Sequence, residues 1–239
     1  MSRSSHCDTP FFKRIGNGRS VFRIRVWGSR ALWSDHSLAG DHNTLPVPTA
    51  GALVGLLEGI YWHPRVHWRV RRVHVLNQIR YMNEGRNELK GRVPLKSART
   101  WAKTGSWDSR PHLAHTPRSA TLLTDVHYAI EAELSADPEF GPWVKAAHIA
   151  GGRVARGLSY KPLRLGTSEC PASIAGIPED QDVPVGFYHG TGSVDLGWML
   201  HHVRHLPDGA TEPVLCRPTM TDGVIDFEDI ALVAASGLL

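Results

Sequence analysis

Cysteine is scarce in this chain of 239 residues: Cys7, Cys170 and Cys216 are odd in number and far apart. That argues against a disulfide framework or a cysteine-rich zinc site, and predicts reduced thiols in a cytoplasmic protein. No apolar run approaches the roughly 20 residues of a membrane helix. The first residues carry no apolar segment of signal-peptide type. The expectation is therefore a cytoplasmic chain with no membrane partner. No phosphate-cradling or dinucleotide motif is present, and Gly190-Thr191-Gly192 reads as a turn. No internal repeat or low-complexity tract appears. His63 and His67 are four apart, but Pro64 breaks the helix that would bring them together. His201, His202 and His205 would share a helix, yet no nearby cysteine or carboxylate completes a zinc set. The expected metal and cofactor content is none.

What remains is an ordinary soluble composition, 41% hydrophobic and 21% charged, in a chain long enough to bury a proper core. The net charge of +4 permits an anionic partner without demanding one. Arginine dominates in clusters: Arg23 and Arg25; Arg65, Arg69, Arg71 and Arg72; Arg153 and Arg156. Guanidinium forks suit phosphate, and eight tryptophans offer platforms for stacked bases. Taken singly, each of these residues has a plainer reading as a solvated strand face or a core aromatic.

The stretch from Pro46 to Met82 organises the rest. Thr49 caps a helix in which Leu53, Leu56, Leu57 and Ile60 recur on one face, with Gly51, Gly55 and Gly59 four apart on another. Three interior glycines, each costing roughly 1 kcal/mol of helix propensity, predict that a backbone or a ligand approaches closely. The helix ends near Tyr61 and Trp62, before Pro64. Residues 1–20 are polar and read as a mobile extension. Val21–Trp27 alternates as a half-buried strand with Arg23 and Arg25 outward, and Trp27–Arg30 reads as a turn. Val66, Trp68 and Val70 then slip phase to Val73 and Val75, which predicts a β-bulge near Arg71–Arg72. Asn83–Ala120 has no pattern and reads as a long loop. Leu122–Leu134 alternates as a returning strand, and a short helix reaches Ile149 before Gly151-Gly152 stops it. Short strands and turns follow, with hairpin signals at Gly190-Thr191-Gly192 and Asp222-Gly223. Strand, helix, strand in that order predicts an α+β, ferredoxin-like (RNA-recognition-like) domain with a small C-terminal antiparallel β-sheet. The expected division is an extension over 1–20, a ferredoxin-like RNA-binding domain over 21–150 and an antiparallel β domain over 151–239.

Several ordered segments carry a family resemblance. They are Phe22–Trp33, Pro48-Thr49, Ile60-Tyr61-Trp62-His63-Pro64, Val73-His74-Val75-Leu76, Arg86-Asn87-Glu88, Leu123–Tyr128, Leu165–Cys170, Gly186-Phe187-Tyr188 and Leu196–Met199. Together they resemble the CRISPR-associated protein family five, Dvulg subtype, of type I-C systems, within the RAMP superfamily. The resemblance implies a metal-independent endoribonuclease that cleaves CRISPR precursor RNA at the repeat hairpin. It implies that the protein stays on the 5′ handle of the crRNA as a subunit of the surveillance (Cascade) complex. The implied partners are the repeat RNA, the backbone and large subunits of that complex, and target DNA reached through the complex.

The resemblance also implies catalytic residues. Tyr61 matches the family's helix-end tyrosine and Lys145 matches its lysine. An ungapped count puts Ala146 at the family's histidine, and the nearest histidine is His148. If the segment is helical, Lys145 and His148 are three apart and share a face. Metal-free cleavage needs a base for the attacking 2′-OH, an acid for the departing 5′-oxygen, and a cation for the phosphorane. A histidine, with an ordinary pKa of about 6.5, suits acid or base work, the role open to His148. Tyr61 would orient the 2′-OH and Lys145 would stabilise charge. The expected RNA contacts are Arg23, Arg25, Trp62, Arg69, Arg71, Arg72, Arg86, Arg153 and Arg156, with Trp68 and Tyr81 as further stacking platforms. A second reading is a non-catalytic crRNA 5′-handle-binding scaffold; a small-molecule enzyme on the same core is a third.

Overall fold

The structure is a computed structural model that describes residues 11–16, 18–35, 42–89, 94–105 and 115–234. It begins with a short strand, β1 (Phe12–Arg14), and a long one, β2 (Arg19–Ala31). On β2, Phe22, Ile24 and Val26 are fully buried, as the alternation predicts. The strand does not turn at Trp27–Arg30. Gly28 serves close packing instead: a Cβ there would lie 2.6 Å from both the Leu165 side chain and the Pro171 carbonyl. β1 pairs antiparallel with β2, so residues 12–14 of the expected extension belong to the sheet.

After a two-residue strand, β3 (His42–Asn43), comes helix α1 (Ala50–Ile60). The Thr49 hydroxyl accepts the Ala52 amide at 3.1 Å, satisfying an orphan donor of the first turn. Leu53, Leu56, Leu57 and Ile60 are buried, roughly 1.5–3 kcal/mol of transfer free energy each. The glycine stripe has a mixed explanation. A Cβ on Gly51 would meet the His201 carbonyl at 2.8 Å and one on Gly59 the Leu163 side chain at 2.7 Å, while Gly55 faces open space.

β4 (Val66–Val75) carries the predicted bulge: its register against its partner shifts between Val70 and Arg72. The segment expected as a loop is largely regular. It contains β5 (Tyr81–Leu89), α2 (Leu95–Thr104) and the start of β6 (His115–Ala136). Residues 90–93 and 106–114 lie outside the described residues. β5 alternates between exposed and half-exposed positions and α2 buries no residue, so neither leaves an apolar period in the sequence. Helix α3 (Trp143–Ala155) continues through Gly151-Gly152. Gly151 admits a neighbour, since a Cβ there would press on the Phe12 ring at 2.8 Å. The helix stops instead at Gly157, which is left-handed (φ +65°). The Leu158 amide there returns to the Arg153 carbonyl at 2.8 Å and the Gly157 amide to Val154 at 3.2 Å.

The remaining strands are β7 (Ser173–Gly176), β8 (Ser193–Asp195), β9 (Met199–His205), β10 (Thr211–Cys216), β11 (Thr219–Thr221), β12 (Val224–Asp226) and β13 (Leu232–Ala234). The β11–β12 turn at Asp222-Gly223 has positive φ at both residues (48° and 81°), as the hairpin signal predicts. The protein is thus a mixed α/β structure dominated by one large sheet, antiparallel except where β3 meets β6, with a small antiparallel sheet of β9, β10 and β13. Along the large sheet the order β7–β2–β6–β4–β12 holds, every neighbour antiparallel. α1 connects β2 to β4 and α3 connects β6 to β7, and both pack on one face over the main core. The opposite face carries a smaller cluster of Leu76, Ala129 and Ile177 with Val183. Among the described residues no helix is long and apolar enough to cross a membrane. Cys170 and Cys216 are buried free thiols; burial pushes the Cys216 thiol up to about 11.

Candidate active site and RNA-facing residues

Five hydrogen bonds anchor the end of α1. Tyr61 is extended, and its amide closes the last helical turn on the Leu57 carbonyl at 3.1 Å. Its own carbonyl accepts the Trp68 indole N–H at 2.9 Å. The Gly59 carbonyl accepts both the Tyr160 and Lys161 amides, at 2.8 and 3.0 Å. The Ile60 carbonyl accepts Arg153 Nη1 at 2.6 Å. These bonds satisfy carbonyls that a helix leaves orphaned, and the arginine places a full charge at the negative end of the helix dipole. The same guanidinium sits 5.9 Å from the ring centres of Tyr61 and of Tyr160, within cation–π range. A phenol, a cation and the exposed ring of Tyr160 therefore meet where α1 ends, and the exposed Trp62 follows Tyr61 in the chain.

Lys145 and His148 share the exposed face of α3, three residues apart, as predicted. Ala146 is buried in the core at 3% exposure, so a histidine there could not reach solvent without repacking. His148 turns its ring edge-on to Phe12, with centroids 5.2 Å apart. Along the helix axis Lys145 lies about 12 Å and His148 about 7.5 Å back from Arg153. The contacts that fix Tyr61 thus come from Arg153 and Trp68, while His148 is seated on β1. Tyr160 and Lys161 escape sequence reasoning; the left-handed glycine before them was the available signal, because it folds their segment back onto α1.

The arginines expected to hold phosphate divide sharply. Arg71 Nε donates to Glu228 Oε1 at 2.7 Å. Arg72 Nε donates to Asp226 Oδ2 at 2.9 Å, and its other nitrogens lie 3.5 Å from Glu131 and Glu228. Arg69 donates to the Glu228 carbonyl at 3.2 Å. Arg86 is paired with Glu169 at 2.7 Å, and Arg23 donates to the Glu179 carbonyl. The Glu131 carboxyl is held below the usual carboxylate range, first by its hydrogen bond with His74 and then by the charges of His74 and Arg72. Arg25 stands on the sheet face away from the helices. Arg156 is exposed and donates to the Gly152 carbonyl at 2.8 Å. Trp62 is 57% exposed, whereas Trp68 is 6% exposed. Trp68 is therefore a core residue rather than a stacking platform, because its indole N–H is committed to the Tyr61 carbonyl. His201, His202 and His205 lie on the strand β9, not a helix. The His201 and His202 Nδ1 atoms are 2.7 Å apart, and burial, with the neighbouring His202 charge, holds His201 below its ordinary range. His67 is paired with Asp137 at 3.0 Å.

Known proteins resemble the chain over nearly its whole length. The family described as CRISPR-associated protein (Cas_Cas5), in its Cas5d form, matches residues 21–228. Two curated relatives are named CRISPR pre-crRNA endoribonuclease Cas5d. The one from Mannheimia succiniciproducens is 27% identical, over 85% of this chain and 93% of the relative. The one from Thermus thermophilus is 31% identical, over 82% of this chain and 79% of the relative. A solved structure titled "Crystal Structure of CRISPR-associated Protein" shares the fold with a TM-score of 0.64 at 24% identity, covering 92% of this chain and 94% of that one.

Proposed function

This chain belongs to the CRISPR-associated Cas5d family, and from that premise we propose that it is the endoribonuclease that cleaves CRISPR precursor RNA at the repeat hairpin. The observation that carries the reading is the meeting of Tyr61 with Arg153 at the end of α1, within a chain matched from 21 to 228. In the reaction the 2′-oxygen attacks the adjacent phosphorus and the bond from phosphorus to the 5′-oxygen breaks. The products are a 2′,3′-cyclic phosphate and a 5′-hydroxyl. The Tyr61 phenol orients the 2′-OH, and Arg153 and Lys145 stabilise the crowded phosphorane electrostatically. His148 transfers the proton, with Trp62 and Arg156 holding flanking RNA. The product's 5′ handle stays bound, and the protein serves as a subunit of a type I-C surveillance complex in the cytoplasm, reaching target DNA through that complex.

The order β7–β2–β6–β4, with α1 and α3 as the crossovers, supports a ferredoxin-like reading of the main unit. Its fourth strand is β7, so that unit runs past residue 150 to Gly176, and the rest forms the C-terminal β region. The setback of Lys145 and His148 along α3 favours a second reading, a handle-binding scaffold that does not cut.

The test is cleavage of a labelled repeat hairpin in EDTA by the wild type, Tyr61→Phe, Lys145→Ala and His148→Ala. A matched RNA with a single 2′-deoxy at the cut site runs alongside. Cutting by the wild type, lost with the deoxy substrate and with Tyr61→Phe, supports the nuclease. Tight binding by a wild type that never cuts supports the scaffold. Normal cutting by His148→Ala would remove that residue from the mechanism.

A further inference from the structure

Two of the segments that carry the family resemblance, Leu123–Tyr128 and Gly186-Phe187-Tyr188, play no part in the Tyr61 end. They lie where β4 finishes, about 30 Å along that ten-residue strand from its start near Tyr61. Two cavities adjoin there. One, of about 330 Å³, is lined by Arg25, Trp27 and His127; the other, of about 470 Å³, by Arg80 and Phe187. Asn77 and Asp125 line both. Arg25, Trp27 and His127 alternate with the buried Val26 and Tyr128, so this groove opens on the sheet face opposite the helices.

Each half of the groove offers the same pair of groups. Trp27 and Phe187 expose their rings at 37% and 56%. Unlike Arg71 and Arg72, neither Arg25 nor Arg80 has a carboxylate partner among the described residues, and Arg80 donates only to the Gln78 side chain, at 3.1 Å. Between them Asn77 donates to the Asp125 carbonyl at 2.8 Å, and both residues line the groove, Asn77 bringing an amide and Asp125 a carboxylate to it. Carboxylate and amide acceptors suit the exocyclic amino groups of bases. Asp125 holds a left-handed backbone (φ 51°); the other described non-glycine residue that does so is Asp222, in a hairpin turn. Gly186 brings the Phe187 segment onto the end of β4, since a Cβ there would lie 2.5 Å from the Val75 carbonyl. Beneath Trp27, the His127 ring is 5.7 Å away, and its Nε2 is shut from solvent with no hydrogen-bond partner. Burial, and then the charge of Arg25, keep that imidazole toward its neutral form.

We propose that this groove binds two successive unpaired nucleotides of RNA, one base stacked on Trp27 and the next on Phe187, with Arg25 and Arg80 on their phosphates. Alternating aromatic faces and unpaired guanidiniums are the chemistry of single-strand binding. The proposal rests on the RNA-processing reading above, but it concerns a surface remote from Tyr61.

Fluorescence anisotropy of the full chain with a short labelled single-stranded RNA tests it, with hairpin cleavage measured in parallel. Trp27→Ala and Phe187→Ala are each expected to weaken single-strand binding by about 5- to 100-fold, the worth of one stacked base. Trp27→Phe should restore most of it, which a merely unfolded variant would not. Trp198→Ala, which removes an equally exposed ring elsewhere (52%), should bind as the wild type does. With 4-thiouridine in the RNA, photocrosslinks should map to peptides containing Trp27 and Phe187. A wild type that cuts the hairpin while Trp27→Ala and Phe187→Ala bind single strands undiminished would overturn the groove and leave the nuclease standing. A Trp198→Ala defect of equal size would overturn it too, as non-specific stacking. A wild type that neither binds nor cuts RNA would end both readings.

Discussion

Arg71 and Arg72 on β4 and Arg153 and Arg156 at the end of α3 look alike in the sequence and behave differently in the fold. Arg71 and Arg72 meet Asp226 and Glu228, carboxylates that arrive with β12 more than 150 residues later. Among the described residues, Arg153 meets carbonyl and ring faces and no carboxylate, and Arg156 meets the Gly152 carbonyl of α3. A guanidinium bonded to a carboxylate has spent its charge locally; one bonded to a neutral carbonyl still projects it. The basic stripe that marks an RNA-binding protein by composition is, on β4, chiefly a clasp between two parts of the chain.

The largest test of that contrast lies at the unpaired end. Tyr61→Phe should lower hairpin cleavage about 100-fold and leave hairpin binding within about twofold, as gel shift and single-turnover kinetics would show. Arg153→Ala should cut less steeply, by about 10-fold, but it should also lower the melting temperature, because the Ile60 carbonyl loses its partner. An Arg153→Ala variant with normal cleavage would put this arginine in the same structural class as those of β4. Arg71→Ala should act the other way round, costing about 1 kcal/mol in urea unfolding while RNA binding changes less than twofold. If instead it weakens RNA binding as much as Arg156→Ala, the clasp reading fails.

The smallest effect is in pH. Glu131 has its folded pKa depressed, so its contribution is full above its unfolded value of about 4.3 and is lost as pH falls through the folded value. Urea midpoints should therefore show wild type and Glu131→Gln converging as the solution is acidified below about pH 4, the wild type losing more.

Much of the fold was legible because local chemistry dictates it. The Thr49 cap, the buried face of α1, the bulge at Arg71 and the Asp222-Gly223 turn each follow from a few adjacent residues. Gly28 and Gly151 misled because a glycine that makes a turn and one that admits a neighbouring side chain look the same in sequence. β5 and α2 were invisible since neither buries an apolar face. At the site, Tyr61 was legible from the proline that ends its helix. The partners of the arginines were not, since strand register between β4 and β12 decides them. Tyr160 and Lys161 depend on where a left-handed glycine sends the chain after α3.

One strand, β6, spans 22 residues and changes company along its length. From Leu123 to Ser135 it is flanked by β2 and, from Tyr128 onward, by β4, and its inward residues are in the core. Ala120 and Leu122, on the length paired with β5 and β3, are still fully buried, whereas from His115 to Ser119 its partner is β5 and no residue of the strand is buried. A single covalent strand therefore passes through two regimes of local stability. In deuterium its amides should divide near Ala120: those beyond it open only when the whole molecule unfolds, and those before it exchange by local separation from β5. The arm can thus bend or let go of a partner without loosening the length of β6 that seats His127 and Glu131, so that motion at one end is not transmitted to the other.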